Sequence, residues 1–273
     1  MNKSIFPVIV IYKCELVECR TYKSLLRESD MADFMVYDNS PSSYSRPARL
    51  PQGAIYLRDT SNGGLSVAYN VAAARARELG YKRLLLLDQD TEFAPGTWDA
   101  YMEHADFDGI TAPLILTNHE ALCSPTDVSG WCTRVHPVSA GDYSLYQLNV
   151  INSGMCVPLH LFERAGGYDL RVNLDFSDYQ FQRRLRKVND RLRLLPVVAH
   201  QDFSGDCRDY GRLIVRFRWY IKCAAHFSTE GLADSLGHHY TVWRHTAILT
   251  LKTQKMSFLK EYFLRFLLRR GLD

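Results

Sequence analysis

The chain has 273 residues, with 33 Lys and Arg against 30 Asp and Glu, a net charge of +3, 47% hydrophobic and 23% charged residues. That length accommodates one large α/β domain, or such a domain with an appendage, and so small a net charge gives no argument for a nucleic-acid partner. The seven cysteines (Cys14, Cys19, Cys123, Cys132, Cys156, Cys207 and Cys223) are odd in number and lack CxxC spacing. A disulfide framework or zinc site is therefore not expected, and reduced thiols in a cytosol are the default.

Residues 6–12 (FPVIVIY) are apolar and β-branched and read as a buried first strand rather than a signal peptide, since no small-residue cleavage site follows. Residues 15–29 place leucines at 16, 25 and 26 among charges and predict an amphipathic helix. Residues 34–37 are a second strand, ending at Asp38-Asn39-Ser40-Pro41. An acid at the end of a second strand suits a nucleotide-binding α/β unit, but Asp-Asn-Ser-Pro is equally strong turn chemistry. After a proline- and serine-rich loop, residues 54–57 form a short strand. Asn62-Gly63-Gly64 then leads into an alanine-rich helix over residues 66–79, closed by Gly80. The double glycine lacks the GK[ST] ending of a P-loop and is not GxGxxG.

Leu84-Leu85-Leu86-Leu87-Asp88-Gln89-Asp90-Thr91 is the central stretch. Four leucines suit a strand buried on both faces. Residues i and i+2 of an extended chain point the same way, so Asp88 and Asp90 aim at one point on the rim where open α/β sheets bind ligands. Two such acids are hard oxygen ligands for Mg²⁺ or Mn²⁺ shared with a phosphate. Alone, the pair would equally suit a capped βα loop.

A helix over residues 97–104 and a strand over 109–115 follow, then a polar, irregular stretch over 117–148 expected to hold an edge strand or hairpin. Residues 150–157, with Asn152-Ser153-Gly154, resume strand character, and residues 159–165 form a short helix. Asp175 and Asp178 lie at the start of a further helix, three residues apart, so that both could reach one cleft. Residues 192–198 are a strand ending at His200, a candidate metal ligand. From Asp209 the pattern is helical. The tail over 257–270 places Phe258, Leu259, Tyr262, Phe263, Phe266 and Leu267 at helical spacing among Lys260, Arg265, Arg269 and Arg270. Such a helix is equally suited to an anionic membrane surface and to packing on the sheet domain. No apolar run is long enough to span a bilayer.

In order and spacing, the pieces resemble the inverting family-2 glycosyltransferases of the GT-A fold, in particular the bacterial rhamnosyltransferase-like branch that builds surface polysaccharide. They are VIVIY, Tyr37-Asp38-Asn39-Ser40, the 62–70 stretch, LLLLDQDT, Asn152-Ser153-Gly154, DFSDYQFQRRLR and His200, and the likeness spans roughly residues 6–205. It implies a Rossmann-like mixed α/β sheet flanked by helices (residues 1–205) with a C-terminal helical extension (206–273). It also implies transfer of a sugar from a nucleotide-diphosphate donor to a glycan or lipid-linked glycan. The expected location is the cytoplasm, and the basic tail, if it does not pack on the domain, adds a peripheral contact with the inner face of the plasma membrane.

By the same resemblance, Asp38 contacts the nucleoside, and Asn62, Gly63 and Gly64 line its pocket. Tyr12, Asn39, Asn70, Gln89 and Asn152, inside these motifs, join the nucleotide-sugar site. Asp88 and Asp90 are the metal-holding pair with His200 nearby, and Asp178 is the general base with Asp175 secondary. Where many relatives carry a glutamate two residues after the base, this chain has Gln180. A catalytically silent nucleotide-sugar-binding scaffold therefore stays open as the alternative. A glycoside hydrolase is disfavoured by the early nucleotide-type pattern, and a nucleotidyltransferase by the absence of a lysine-bearing glycine loop after the first strand.

Overall fold

Leu84 and Leu86 enter one hydrophobic core and Leu85 and Leu87 another, on opposite sides of the sheet. This is the period-2 behaviour of a strand covered on both faces. The computed structural model describes residues 3–27, 33–47, 49–128, 138–201 and 209–272. Its strands are β1 (Ile5–Ile11), β2 (Phe34–Asp38), β3 (Ala54–Arg58), β4 (Arg83–Asp88), β5 (Thr91–Phe93), β6 (Ile110–Thr117), β7 (Leu122–Ser124), β8 (Thr126–Asp127), β9 (Gly141–Ser144), β10 (Leu148–Asn149), β11 (Cys156–Pro158) and β12 (Arg191–Gln201). Its α-helices are α1 (Leu65–Glu78), α2 (Thr97–Glu103), α3 (Leu159–Arg164), α4 (Ser177–Leu185), α5 (Tyr210–His226), α6 (Gly231–Thr253) and α7 (Ser257–Glu261).

Among the described residues, ten strands form one mixed sheet in the order β3-β2-β1-β4-β11-β6-β12-β5, with β7 on β6 and β9 on β12. The β3-β2-β1-β4 half is parallel. β11 runs antiparallel between β4 and β6 and reverses the pattern. The chain order switches beside β1, which lies between β2 and β4, so a crevice opens there at the carboxyl ends of the strands. The register Val10↔Asp88 and Ile11↔Asp38 brings the ends of β1, β2 and β4 to that edge. At the opposite end of β4, buried Arg83 donates to the carbonyls of Phe107, Gly109 and Cys156 and fastens the reversed strand in place.

Several elements differ from expectation. Residues 15–29 do not form a regular α-helix: the described part is a 3₁₀ turn (Leu16–Glu18) and a π-helical turn (Tyr22–Leu26). Tertiary contacts override the helical pattern here, because the Thr21 hydroxyl donates to the carbonyls of Asp88 and Thr91 and the Phe93 N–H donates to Ser24 Oγ. Asn152-Ser153-Gly154 is a turn, with Gly154 at φ 80° and the strand starting only at Cys156. β12 does not end at His200 but continues one residue further, to Gln201. In the irregular stretch, β7, β8, β9 and β10 supply the expected short strands; residues 129–137 lie outside the described residues.

The tail is not a free helix. Phe258, Tyr262 and Phe266 point inward, into a third core with Ile214, Phe217 and Ile221 of α5 and Val242 and Leu249 of α6. Beyond α7 the chain closes as a π-helical turn, Tyr262–Leu267.

Candidate functional site

A cleft of about 1010 Å³ opens at the carboxyl edge of β1 and β4. One wall is Tyr12, Lys13, Asn39, Asn62 and Gly64; the floor is Asp88, Gln89 and Asp90. The opposite wall is α5, through Arg212, Val215, Arg216 and Trp219, which at i, i+3, i+4 and i+7 form one helix face.

The β1/β2 side of the cleft is a set of interlocked turns. The Tyr12 N–H donates to Gln89 Oε1 (2.7 Å), the Lys13 N–H to Ser40 Oγ (2.7 Å) and the Asn39 N–H to the Ile11 carbonyl (2.9 Å). Asp59 accepts from the backbone N–H of Ser61 and of Gly63 (both 2.9 Å) and from the Tyr37 hydroxyl (3.3 Å). Burial pushes its pKa up, but these hydrogen bonds and that of the Ser61 hydroxyl outweigh it and hold Asp59 below the ordinary carboxylate value. Asp59 was not legible as a site residue, although an Asp three residues before Asn-Gly-Gly is a turn-building signal. Asn62 sits at φ 55° and Gly64 at φ 86°. A Cβ at Gly64 would meet the Asn173 carbonyl at 2.4 Å.

The acidic floor is organised by neutral donors. Asp88 Oδ1 accepts from the Tyr69 hydroxyl (3.2 Å), and the Gln201 amide Nε2 lies 3.4 Å from Asp88 Oδ2 and 3.2 Å from Asp90 Oδ1. Burial, then the charge of Asp90, raises Asp88 to about 7 against the Tyr69 hydrogen bond, with the charge of Asp178 adding to the rise. Asp178 is likewise raised to about 7, first by burial. The backbone N–H of Tyr179 (2.8 Å), with those of Asp178 and Asn152, pulls it down, and the charge of Asp175 pushes it up. Asp178 therefore shares an electrostatic environment with Asp88, across the buried rings of Tyr69 and Tyr168 (centroids 5.2 Å apart).

Tyr12, Asn39, Asn62, Gly64, Asp88, Gln89 and Asp90 thus meet in one cleft. Other candidates are placed differently. The Asp38 carboxylate is buried, accepting from the Tyr56 hydroxyl (2.6 Å) and the Ser40 N–H (2.8 Å), and its neighbour Asn39 takes the cleft-lining position. Gly63 anchors the turn through its N–H to Asp59. Asn70 holds both the N–H and the carbonyl of Tyr168, and Asn152 accepts from the Tyr168 hydroxyl (2.6 Å), so these two asparagines position Tyr168 rather than line the cleft.

Asp175 is gripped by both terminal guanidinium nitrogens of Arg216, which occupies both its carboxylate oxygens. The placement of His200 beside the acid pair is corrected: its Nε2 lies 3.3 Å from Glu120, while Gln201 reaches the acids. Alternation along β12 puts adjacent residues on opposite faces. Among the described residues, no group of three or more His, Cys, Asp or Glu converges as a metal cage.

Gln180 is explained by packing. Its Nε2 donates to Asp169 (2.9 Å) and its Oε1 accepts from the Ser228 N–H (2.9 Å), which joins α4 to the loop between α5 and α6.

No family model matches the sequence, and no curated protein matches it. The fold, however, is shared with solved GT-A-type glycosyltransferases. One is GalNAc-T7, solved with UDP, GalNAc and Mn²⁺, at 13% identity and TM-score 0.56 over 90% of this chain and 57% of that one. Another is Staphylococcus aureus TarS 1–349 with UDP, at 13% identity and TM-score 0.53 over 96% of this chain and 72% of that one. TarS 1–349 with UDP-GlcNAc gives a TM-score of 0.51. The chain thus spans a little over half the length of the GalNAc-T7 chain, and at this identity the likeness establishes the fold alone.

Proposed function

We propose that the chain is a glycosyltransferase that moves a sugar from a nucleotide-diphosphate donor to a glycan or lipid-linked glycan acceptor with inversion, at the inner face of the plasma membrane. The observation that carries this reading is the meeting, in one cleft, of the Asp88/Asp90 pair with the Tyr12, Asn39, Asn62 and Gly64 wall. Motif order favours a surface-polysaccharide role of the rhamnosyltransferase type. The cleft wall cradles the nucleotide through backbone turns that need no side chain at Gly64.

The donor set fits a divalent cation. Asp88 and Asp90 are hard carboxylate ligands that share one neutral amide, and the repulsion between them is what a cation relieves. They would hold Mg²⁺ or Mn²⁺ together with diphosphate oxygens, and the ion would supply charge neutralisation for the leaving group. Lys13 and Arg212 line the same cleft and add positive charge toward the diphosphate.

In the reaction, an acceptor hydroxyl attacks the anomeric carbon and passes its proton to the Asp178 carboxylate. The new C–O bond forms as the bond to the diphosphate oxygen breaks, and the nucleoside diphosphate leaves with the electron pair. A single displacement needs no enzyme nucleophile. Asp178 is the base candidate because, unlike Asp175, it has no guanidinium partner among the described residues, and a carboxylate with pKa about 7 is well matched to proton abstraction near neutrality.

The scaffold alternative rests on Gln180, whose amide has a packing role of its own. The test is thermal stability with UDP, dTDP and GDP, each with and without Mn²⁺. A nucleotide at a hundred times its dissociation constant adds about 2.7 kcal/mol. A Mn²⁺-dependent shift with one base, lost in Asp90→Ala, supports the transferase; absence of any shift refutes it.

A further inference from the structure

The outer face of α6 is largely exposed, touching the rest of the chain through Trp243 on Tyr262. Leu232, Leu236, Tyr240, Trp243, Ala247 and Leu251, spaced by three or four, form one stripe on it. Leu232 is 76% and Leu251 71% exposed, and Leu236, Tyr240 and Trp243 are exposed with them. Val242, Thr246 and Leu249 turn the other way, into the helical core. The stripe continues onto the terminal turn: Trp243 packs on Tyr262 (centroids 5.6 Å), and Phe263 beside it is 53% exposed. Isolated exposed apolar residues are ordinary, but a continuous stripe of this length with Tyr and Trp at its middle marks a contact surface.

Charge identifies the partner. From residue 209 onward the chain carries eleven Lys and Arg against five Asp and Glu, a surplus of six where the whole chain has three. The described acids of this layer are all engaged. Asp209 caps α5, Glu230 pairs with Arg186 and Lys187, Asp234 with Arg183, and Glu261 with Arg218 and Arg265. Arg244 and Lys252 flank the stripe on α6, and Lys260, Arg269 and Arg270 surround its continuation; all five are exposed, and none is in an ion pair among the described residues.

We infer that the α6 stripe is a docking surface for an anionic lipid bilayer, with the apolar residues entering the interface and these cations meeting the headgroups. Self-association fits less well, because a two-fold contact through the stripe would bring together two copies of this net-positive layer, whose described acids are already engaged within each copy. The surface is separate from the cleft and independent of the transferase reading. It also differs from the tail, whose Phe258, Tyr262 and Phe266 are core. α5 links the two, packing on the helical core with one face and walling the cleft with another, so docking holds the cleft beside the bilayer.

The test is co-sedimentation of the full chain with vesicles of phosphatidylcholine alone and with a third phosphatidylglycerol. Binding is expected only with the anionic lipid, weakening with salt, and with a blue shift of tryptophan emission. Leu236→Glu/Trp243→Glu should weaken binding at least about tenfold with an unchanged far-ultraviolet spectrum and melting temperature. Leu232→Ser/Leu251→Ser serves as a second, milder variant should the first not fold. Failure to bind anionic vesicles at low salt overturns the proposal, as does equal binding by wild type and variants. A solution dimer dissociated by the same substitutions, without vesicle binding, overturns it in favour of a second copy. Loss of nucleotide-dependent stabilisation with vesicle binding intact would count against the transferase reading alone.

Discussion

Gln180 shows what one side chain's chemistry fixes. The position needs a donor toward Asp169 and an acceptor toward the Ser228 N–H; the Gln amide offers both, whereas an ionised carboxylate only accepts. Gln180→Glu would set a second carboxylate against Asp169 at a buried site; a loss of about 2–3 kcal/mol is expected by urea denaturation, and a neutral result would refute the packing role. Asp178→Asn should lower turnover about 10²- to 10⁴-fold while the nucleotide-induced thermal shift is retained; normal turnover would remove Asp178 as base.

The base must be ionised, so kcat/KM should rise with pH and level off above about 7. Stability runs the other way. Asp88 and Asp178 are raised from 3.8 to about 7, so the native state holds their protons more tightly than the unfolded chain. Their contribution is full below about 3.8 and is lost as pH rises through about 7. The melting temperature of the ligand-free protein should therefore slope downward across that window, and less steeply in Asp88→Asn. An unchanged slope would show that Asp88 titrates normally. The acid pair was legible because the end of an apolar strand is written in neighbouring residues; the period of two is not what joins them, since β4 ends at Asp88 and a turn at Gln89-Asp90 brings Asp90 to the Gln201 amide. His200 was not legible, because β12 runs through it to Gln201 and a one-residue difference in position flips the face.

At the scale of elements, the cleft is made by segments distant in sequence. The 62–64 turn, the ends of β1 and β4 and the outer face of α5 all contribute. The parallel strands were legible from their apolar runs. α5 was legible as a helix but not as a cleft wall, since nothing in Arg212, Val215, Arg216 and Trp219 says which neighbour that face meets. Residues 15–29 misled for the opposite reason: their periodicity is helical, but hydrogen bonds to the Asp88-to-Phe93 segment set the local geometry. Gly64→Ala tests the turn. With φ at 86° and the Asn173 carbonyl 2.4 Å from the added carbon, a loss of at least about 1–2 kcal/mol is expected, together with weaker nucleotide binding. Wild-type stability and affinity would show that the turn relaxes freely.

For the whole molecule, two cores flank the sheet and a third lies within the helical layer. Phe258 is fully buried in that third core; Phe258→Ala should cost about 3–5 kcal/mol, measured by chemical denaturation. A cost below 1 kcal/mol, on the order of an exposed site, would mean that α7 is not seated as described. The boundary expected at 205/206 falls outside the described residues, and the two halves are held together by polar side chains as well as apolar ones. Arg183 meets Asp234, Arg186 meets Glu230, Asp175 meets Arg216, and Gln180 meets Ser228. Two of these four leave from α4, a third from Arg186, which caps its C-terminus, and the fourth from Asp175, two residues before its start. A chimera that exchanged only the C-terminal helices for those of a relative would carry mismatched partners across this seam. The transplantable unit is discontinuous: residues 175–186 must travel with residues 209–272, and any exchange of the helical layer has to respect that linkage.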